Sequence, residues 1–291
     1  MYTKHQALPP RRRLPKLVAA FIMIALLLPA IGAFSQTPPQ QIYVGVNFIK
    51  THPGKQEQYR QLVEKYGKKV NEYLFKNQNL LGWYWYQVLL PTGSSADFDY
   101  AAVNITGSLA SLLDFPMSTK DVYKKVFPEM TDKMISDVQA QFDECRHIVR
   151  REIYTPVQGA HTDEAPNAPP SKYMEVDLMH PAAGKTEDYI KMEKETILPL
   201  HKERMNMGIL KGWGLYEKIL PVDTKMEYEY VTVNFYDDLN KLGNGYVESV
   251  KKVFPQKDIN AISNEIETNR TMKQSSIWKL AGYVDASNTK K

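Results

Sequence analysis

From residue 42 the chain alternates. Val44, Val46 and Phe48 are apolar, with Tyr43, Gly45 and Asn47 between them, which predicts a strand over 42–50. His52-Pro53-Gly54 breaks it. Tyr59, Leu62, Val63, Tyr66, Val70, Tyr73 and Leu74 then recur at steps of three and four, one face of a helix. Gly82 opens a run, Trp83-Tyr84-Trp85-Tyr86 and Val88-Leu89-Leu90, that stops at Pro91 and predicts a strand apolar on both faces. Residues 92–95 supply a hairpin loop, and 98–106 alternate again. Residues 109–142 read as mostly helical, with interruptions near Pro116 and Pro128. A last strand is predicted over 148–154.

This pattern is written twice. Tyr43, Gly54, Lys55, Tyr59, Gly82, Trp83, Tyr86, Pro91, Tyr100 and Asn104 return as Tyr173, Gly184, Lys185, Tyr189, Gly212, Trp213, Tyr216, Pro221, Tyr230 and Asn234, all at an offset of 130. Lys124-Lys125-Val126-Phe127-Pro128 returns as Lys251-Lys252-Val253-Phe254-Pro255 at an offset of 127. A period of this length is a whole domain. The order β-α-β-β-α-β is the ferredoxin-like unit, a four-stranded antiparallel sheet with two helices on one face. Its other face here carries bulky apolar groups and must be covered. The fold class is therefore α+β: two tandem ferredoxin-like domains, residues 42–155 and 172–285, whose sheets cover each other as an intramolecular pseudo-dimeric α/β barrel. Residues 156–171, with four prolines, read as a Pro/Ala-rich linker, and 286–291 as a polar tail.

Residues 1–35 read as a secretory signal. Arg11, Arg12, Arg13 and Lys16 precede an apolar run from Leu17 to Ile31. Ala33-Phe34-Ser35 then offers a cleavage site before Gln36. An uncleaved anchor is the alternative. The expected location is secreted or periplasmic, with no stable membrane insertion after cleavage. Five of the 37 basic residues and none of the 33 acidic ones lie in this segment, so the remainder carries a net charge of −1. Nothing then argues for a nucleic-acid partner. Cys145 is the only cysteine, so the fold has no internal disulfide. It reads as a buried small hydrophobe or a reactive thiol.

The element order, the duplication, and local strings such as Gly54-Lys55…Tyr59 and Gly82-Trp83…Tyr86 resemble the dimeric α/β-barrel superfamily. That superfamily includes antibiotic-biosynthesis monooxygenase-like, haem-degrading, chlorite-dismutase-like and NIPSNAP-type proteins. No member family's catalytic motif is present. The resemblance covers nearly all of residues 42–285 and implies paired sheets with a ligand cavity often inside the barrel. Haem-degrading relatives use an Asn, a Trp and a His around haem, all types this chain has. No cofactor is predicted; haem stays as an alternative, with His147 as a lone axial ligand.

If Val44, Val46 and Phe48 pack under the helices, then Tyr43 and Asn47 face the barrel interior, as do Tyr100 and Asn104. In the second repeat the inward set becomes Tyr173, Glu175, Asp177, Tyr230, Thr232 and Asn234. Trp83 and Trp213 join these tyrosines and asparagines as ligand-binding candidates, or the whole set is a polar network fixing the two halves together. Glu175 and Asp177 replace Gly45 and Asn47. Paired buried carboxylates have raised pKa values and make these two the candidate catalytic base; a rim carboxylate paired with Arg150, Arg151 or Lys279 is the alternative. His52 and His180 precede prolines at strand ends, and His201 is expected on a solvated helix face. No HxH or HExxH spacing suggests a metal. Triads, P-loops and dinucleotide fingerprints do not occur.

Three functions follow. One is binding of a small apolar or aromatic molecule between the sheets. The second is a cofactor-independent monooxygenase or isomerase using the carboxylate base. The third is a structural module with a filled barrel. In each, the expected partner state is a monomeric pseudo-dimer.

Overall fold

The computed structural model describes residues 41–93, 96–114, 120–162, 168–224 and 226–288. The leader, its cleavage site, the middle of the 156–171 segment and the last three residues lie outside them. Residues 41–291 form one compact unit.

Repeat 1 contains β1 (Tyr43–Thr51), β2 (Gly82–Leu90), β3 (Tyr100–Thr106) and β4 (Arg146–His161). Between β1 and β2 runs a helical rod, α1 (Gln56–Leu62), a π-helical turn (Val63–Gly67) and α2 (Lys68–Lys76). After β3 come α3 (Leu109–Leu113), α4 (Lys120–Val126) and α5 (Asp132–Cys145). Repeat 2 has β5 (Tyr173–Pro181), β6 (Gly212–Leu220), β7 (Tyr230–Tyr236) and β8 (Arg270–Val284). Its rod is α6 (Thr186–Met192), a second π-helical turn (Glu193–Ile197) and α7 (Leu198–Asn206), followed later by α8 (Tyr246–Val253) and α9 (Ile259–Asn269).

All eight strands close into one antiparallel barrel in the order β1-β3-β2-β8-β5-β7-β6-β4, with β4 returning to β1. Two long strands do the closing. The first half of β4 pairs with β1, and its second half leaves repeat 1 to pair with β6 of repeat 2. β8 does the same, from β5 to β2. Each sheet thus finishes the other's edge, and no strand edge is left open to a neighbouring chain. The expected linker is shortened accordingly. Residues 156–161 are strand, with Pro156 opposite Tyr216 at an irregularity that spares the missing N–H.

The barrel has an apolar layer inside and two outside. The inner layer gathers Val46, Phe48, Tyr86, Val176, Val231 and Trp278 from both repeats. Outside repeat 1, Trp83, Trp85 and Tyr100 pack against Tyr59, Leu62 and Leu74 of the rod. Outside repeat 2, Trp213, Leu215 and Tyr230 pack against Tyr189, Met192 and Ile197. Cys145 is fully buried in the repeat 1 helix layer, and that burial raises its thiol pKa. It is a core residue and not a reactive thiol.

Candidate functional site

The barrel encloses a cavity of about 450 Å³. Repeat 1 contributes Val44, Val46, Phe48, Tyr84 and Tyr86 to its wall, and repeat 2 contributes Met174, Val176, Leu178, Val233 and Phe235. Trp278 and Ser276 of β8 complete one side. Thr162 and the segment 168–171 border the cavity together with His161 and Lys211. The matching is close to two-fold: Val46 stands where Val176 does, Val103 where Val233 does, and Tyr86 where Tyr216 does.

This sidedness inverts the expectation from the alternation. Val44, Val46 and Phe48 face the barrel, not the helices. Tyr43 and Asn47 alternate with them and so stand on the outer, helix-facing side. Tyr100 stacks on Trp85 in the repeat 1 helix layer, at 5.0 Å between ring centroids. Asn104 lies beside Gly45 and Leu112, and Asn47 accepts from Arg151 Nε at 2.6 Å. Trp83, Trp213, Tyr173 and Tyr230 likewise join the helix layers. A strand's period of two fixes which residues share a face, and burial of both faces leaves the alternation unable to say which face looks inward. The physical choice follows from partners. On β1 and β5 the barrel takes the apolar phase, and the outer phase carries amides and acids that find bonding groups on helices and neighbouring strands.

The carboxylates of repeat 2 follow the same rule. Glu175 accepts from Asn234 Nδ2 at 3.1 Å and from the Tyr236 hydroxyl at 3.2 Å. Tyr236 accepts in turn from Arg204 Nη2, and Arg204 Nη1 meets His201 Nδ1, both at 3.2 Å. Asp177 is buried; desolvation, then the neighbouring Glu175, pushes its pKa up to about 6. Beneath the rod, Glu193 is fully buried and pushed up to about 7 by the same desolvation, with Arg270 Nε at 3.3 Å opposing it. The expected set is therefore split between the two helix layers: Tyr100, Asn47 and Asn104 lie on the outer side of repeat 1, while Glu175 and Asn234 meet under the repeat 2 helices with Tyr236, and neither group lines the barrel cavity.

His147, the expected lone axial ligand, is not among the residues that line the cavity. His147 is exposed, with its ring 5.5 Å from that of His52. His180 Nδ1 lies 2.8 Å from Glu229 Oε2. His201, expected in solvent, is instead 3 % exposed and stacked on Trp213; burial and Arg204 push its pKa well down, so it is neutral. Only His161 among the described histidines lines the cavity, at the stretch where Thr162 and residues 168–171 border it. Among the described residues no group of three His, Cys, Asp or Glu could hold a metal ion, and no helix is long and apolar enough to cross a membrane.

Several polar groups that reach the cavity sit on β4 and β8, where the repeats align at an offset of 124: Val46 pairs with Glu152 as Val176 pairs with Ser276. Of these the sequence pointed only to Arg150, as an ion-pair partner for a rim carboxylate. Arg150 and Tyr154 line the cavity, as do Gln274 and Trp278 at the matching positions. In repeat 2 the matching residues Gln274, Ser276 and Trp278 are neutral, and Trp278 Nε1 donates to Ser276 Oγ at 2.9 Å. In repeat 1 the equivalent pair is Tyr154 donating to Glu152 Oε2. Tyr228 donates to the same oxygen at 2.5 Å. Arg150 Nε lies 3.4 Å and Lys218 Nζ 3.8 Å from Glu152 Oε1. Desolvation, then the charge of Glu152 and, at Tyr154, the neighbouring Tyr228, raise both phenols, so both stay protonated as donors. The Tyr216 phenol is raised by desolvation alone.

No protein-family model matches the chain, and a search of curated protein sequences finds no significant match. Solved structures do share its fold. A candidate monooxygenase from Fusobacterium nucleatum is 9 % identical, covers 84 % of this chain and 94 % of its own, and superposes with a TM-score of 0.50. A candidate chlorite dismutase (14 % identical, 86 % and 97 % covered) and a haem-binding protein of Thermus thermophilus (12 %, 82 % and 91 %) each give a TM-score of 0.46. At these identities the likeness shows the fold alone: the ferredoxin-like dimeric α/β barrel, here closed by one duplicated chain.

Proposed function

We propose that the protein is exported and binds a small, largely apolar or aromatic molecule inside its barrel. The observation that carries this reading is the cavity itself. About 450 Å³ of space is walled mostly by apolar side chains from both repeats, with a few polar groups among them. That volume falls within the roughly 300–1,000 Å³ of small-molecule sites, and the mix of apolar wall and sparse polar groups is what orients a ligand. A barrel serving only as a structural module has no use for such a space, since unfilled volume forfeits dispersion contacts. Catalysis by Asp177 or Glu175 gains no support from their placement, because neither lines the cavity. The carboxylate that the cavity-lining Arg150 and Tyr154 touch is Glu152.

A thermal-shift panel of small aromatic and aliphatic compounds tests the reading. A ligand present at a hundred times its Kd stabilises by about 2.7 kcal/mol. For a unit of this size that is a rise of about 5–10 °C in Tm. Val46→Phe fills the cavity from β1 and is expected to abolish the shift while leaving a cooperative melt. A panel in which no compound shifts the wild-type Tm, or in which Val46→Phe responds as wild type does, contradicts the proposal.

A further inference from the structure

The two halves of the barrel's pseudo-symmetry differ in charge at the cavity wall. Where repeat 2 presents Gln274, Ser276 and Trp278, repeat 1 presents Arg150, Glu152 and Tyr154, and where repeat 1 has Val88, repeat 2 has Lys218. The neutral set closes its half of the barrel, so closure does not require charge. The charged set holds two cations and one carboxylate. Glu152 is already committed: one oxygen accepts from Tyr154 and Tyr228, and the other faces Arg150 and Lys218. Lys218 is 8 % exposed and lies 3.9 Å from the Tyr228 ring centroid. The Arg150 guanidinium lies over the aromatic wall, 4.0 Å from the Phe48 centroid and 5.2 Å from that of Phe98. Arg150 Nε is buried and makes no hydrogen bond. Its side chain is 28 % exposed and lines the cavity. Arg150 and Lys218 share the one Glu152 carboxylate, so the cluster holds one positive charge in excess at the wall of an apolar cavity, and a planar guanidinium is matched by a two-oxygen anion.

We infer that the cavity's occupant is an amphipathic acid, an apolar or aryl body carrying a carboxylate that Arg150 receives. This rests on the binding reading above and names the ligand class for the same site. The body lies against Phe48, Phe98 and Trp278, and the head brings the negative charge that the Arg150–Glu152–Lys218 cluster lacks.

Isothermal titration calorimetry of the mature chain, freed of bound material, tests this with two matched pairs: 4-phenylbutyrate against 4-phenylbutanamide, and decanoate against decanamide. In at least one pair the acid is expected to bind tenfold or more tightly than its amide, because only the acid supplies charge. In Arg150→Met that ratio is expected to collapse toward one, and in Arg150→Lys to survive in part. Equal affinity of acid and amide in the wild type overturns the anionic head and leaves the apolar cavity standing. Failure of all four to bind overturns both readings. The wild-type comparison decides the matter even if a variant fails to fold.

Discussion

Asp177 and Glu193 are buried carboxylates whose pKa values rise to about 6 and about 7 from 3.8 and 4.5. Desolvation drives both, and the groups facing Asp177 are Glu175, Ser275, Thr232 and Arg270. A carboxylate held above its unfolded pKa binds its proton more tightly when folded. Its contribution is therefore most favourable at low pH and is lost as pH rises through the folded value. The protein is expected to lose stability between about pH 4 and pH 7 from these two groups. Asp177→Asn places in repeat 2 the residue that repeat 1 already carries as Asn47. It is expected to flatten that loss by about 1–2 kcal/mol, read from urea unfolding at pH 5 and pH 8. An unchanged difference between the two pH values contradicts the account. At this scale the alternation grouped Glu175 and Asp177 with the repeated tyrosines and asparagines on one face, but that face lies under the helices, and the carboxylate beside the cavity is Glu152. Tyr43, Asn47, Tyr100 and Asn104 share a face in both readings. Which face is inward depends on burial of both, which no single strand reveals. Glu152 and Tyr154 escaped notice, and Arg150 entered only as an ion-pair partner of a rim carboxylate, because the last strands align at 124, outside the registers of 130 and 127 that reveal the repeat.

Among the elements, β4 and β8 decide the architecture. Each is long enough to finish its own sheet and then start a seam with the other repeat. The order of elements was legible from periodicity, because strands and helices of this length announce themselves locally. The second half of β4 was not, because Pro156 and Gly159 look like linker residues and their partner strand is distant in the chain. Gly159 shows why the composition is needed. It pairs with Gly214, and a Cβ at Gly159 would stand 3.2 Å from the Trp213 carbonyl oxygen. Gly214 in turn leaves room for the Tyr216 ring, which a Cβ there would meet at 2.7 Å. Gly159→Val is therefore expected to lower unfolding stability by about 1–3 kcal/mol, as overpacking does. A change below about 0.5 kcal/mol in equilibrium urea unfolding, the usual range for a surface substitution, would show that the β4–β6 seam is not closely packed.

For the whole molecule, duplication replaces a dimer. In one chain the sheets are already mutually covered and the barrel edges already paired, so the two halves are free to diverge. They have diverged on both sides of the sheet. Inside, repeat 1 carries the charged strand and repeat 2 its neutral counterpart. Outside, repeat 1 packs Val63 and Leu74 where repeat 2 buries Glu193 and Arg204. A symmetric dimer presents every such feature twice; among the described residues this chain carries the Arg150–Glu152–Lys218 cluster once, on the repeat 1 side of the cavity. The most direct test of that claim is native mass spectrometry of the mature protein purified from its own host, followed by denaturation to release what it holds. The account predicts a monomer carrying one small molecule per chain, released on unfolding and acidic in character. A monomer that arrives with a clean apo mass, and whose cavity then takes up none of the acids or amides above, would contradict it.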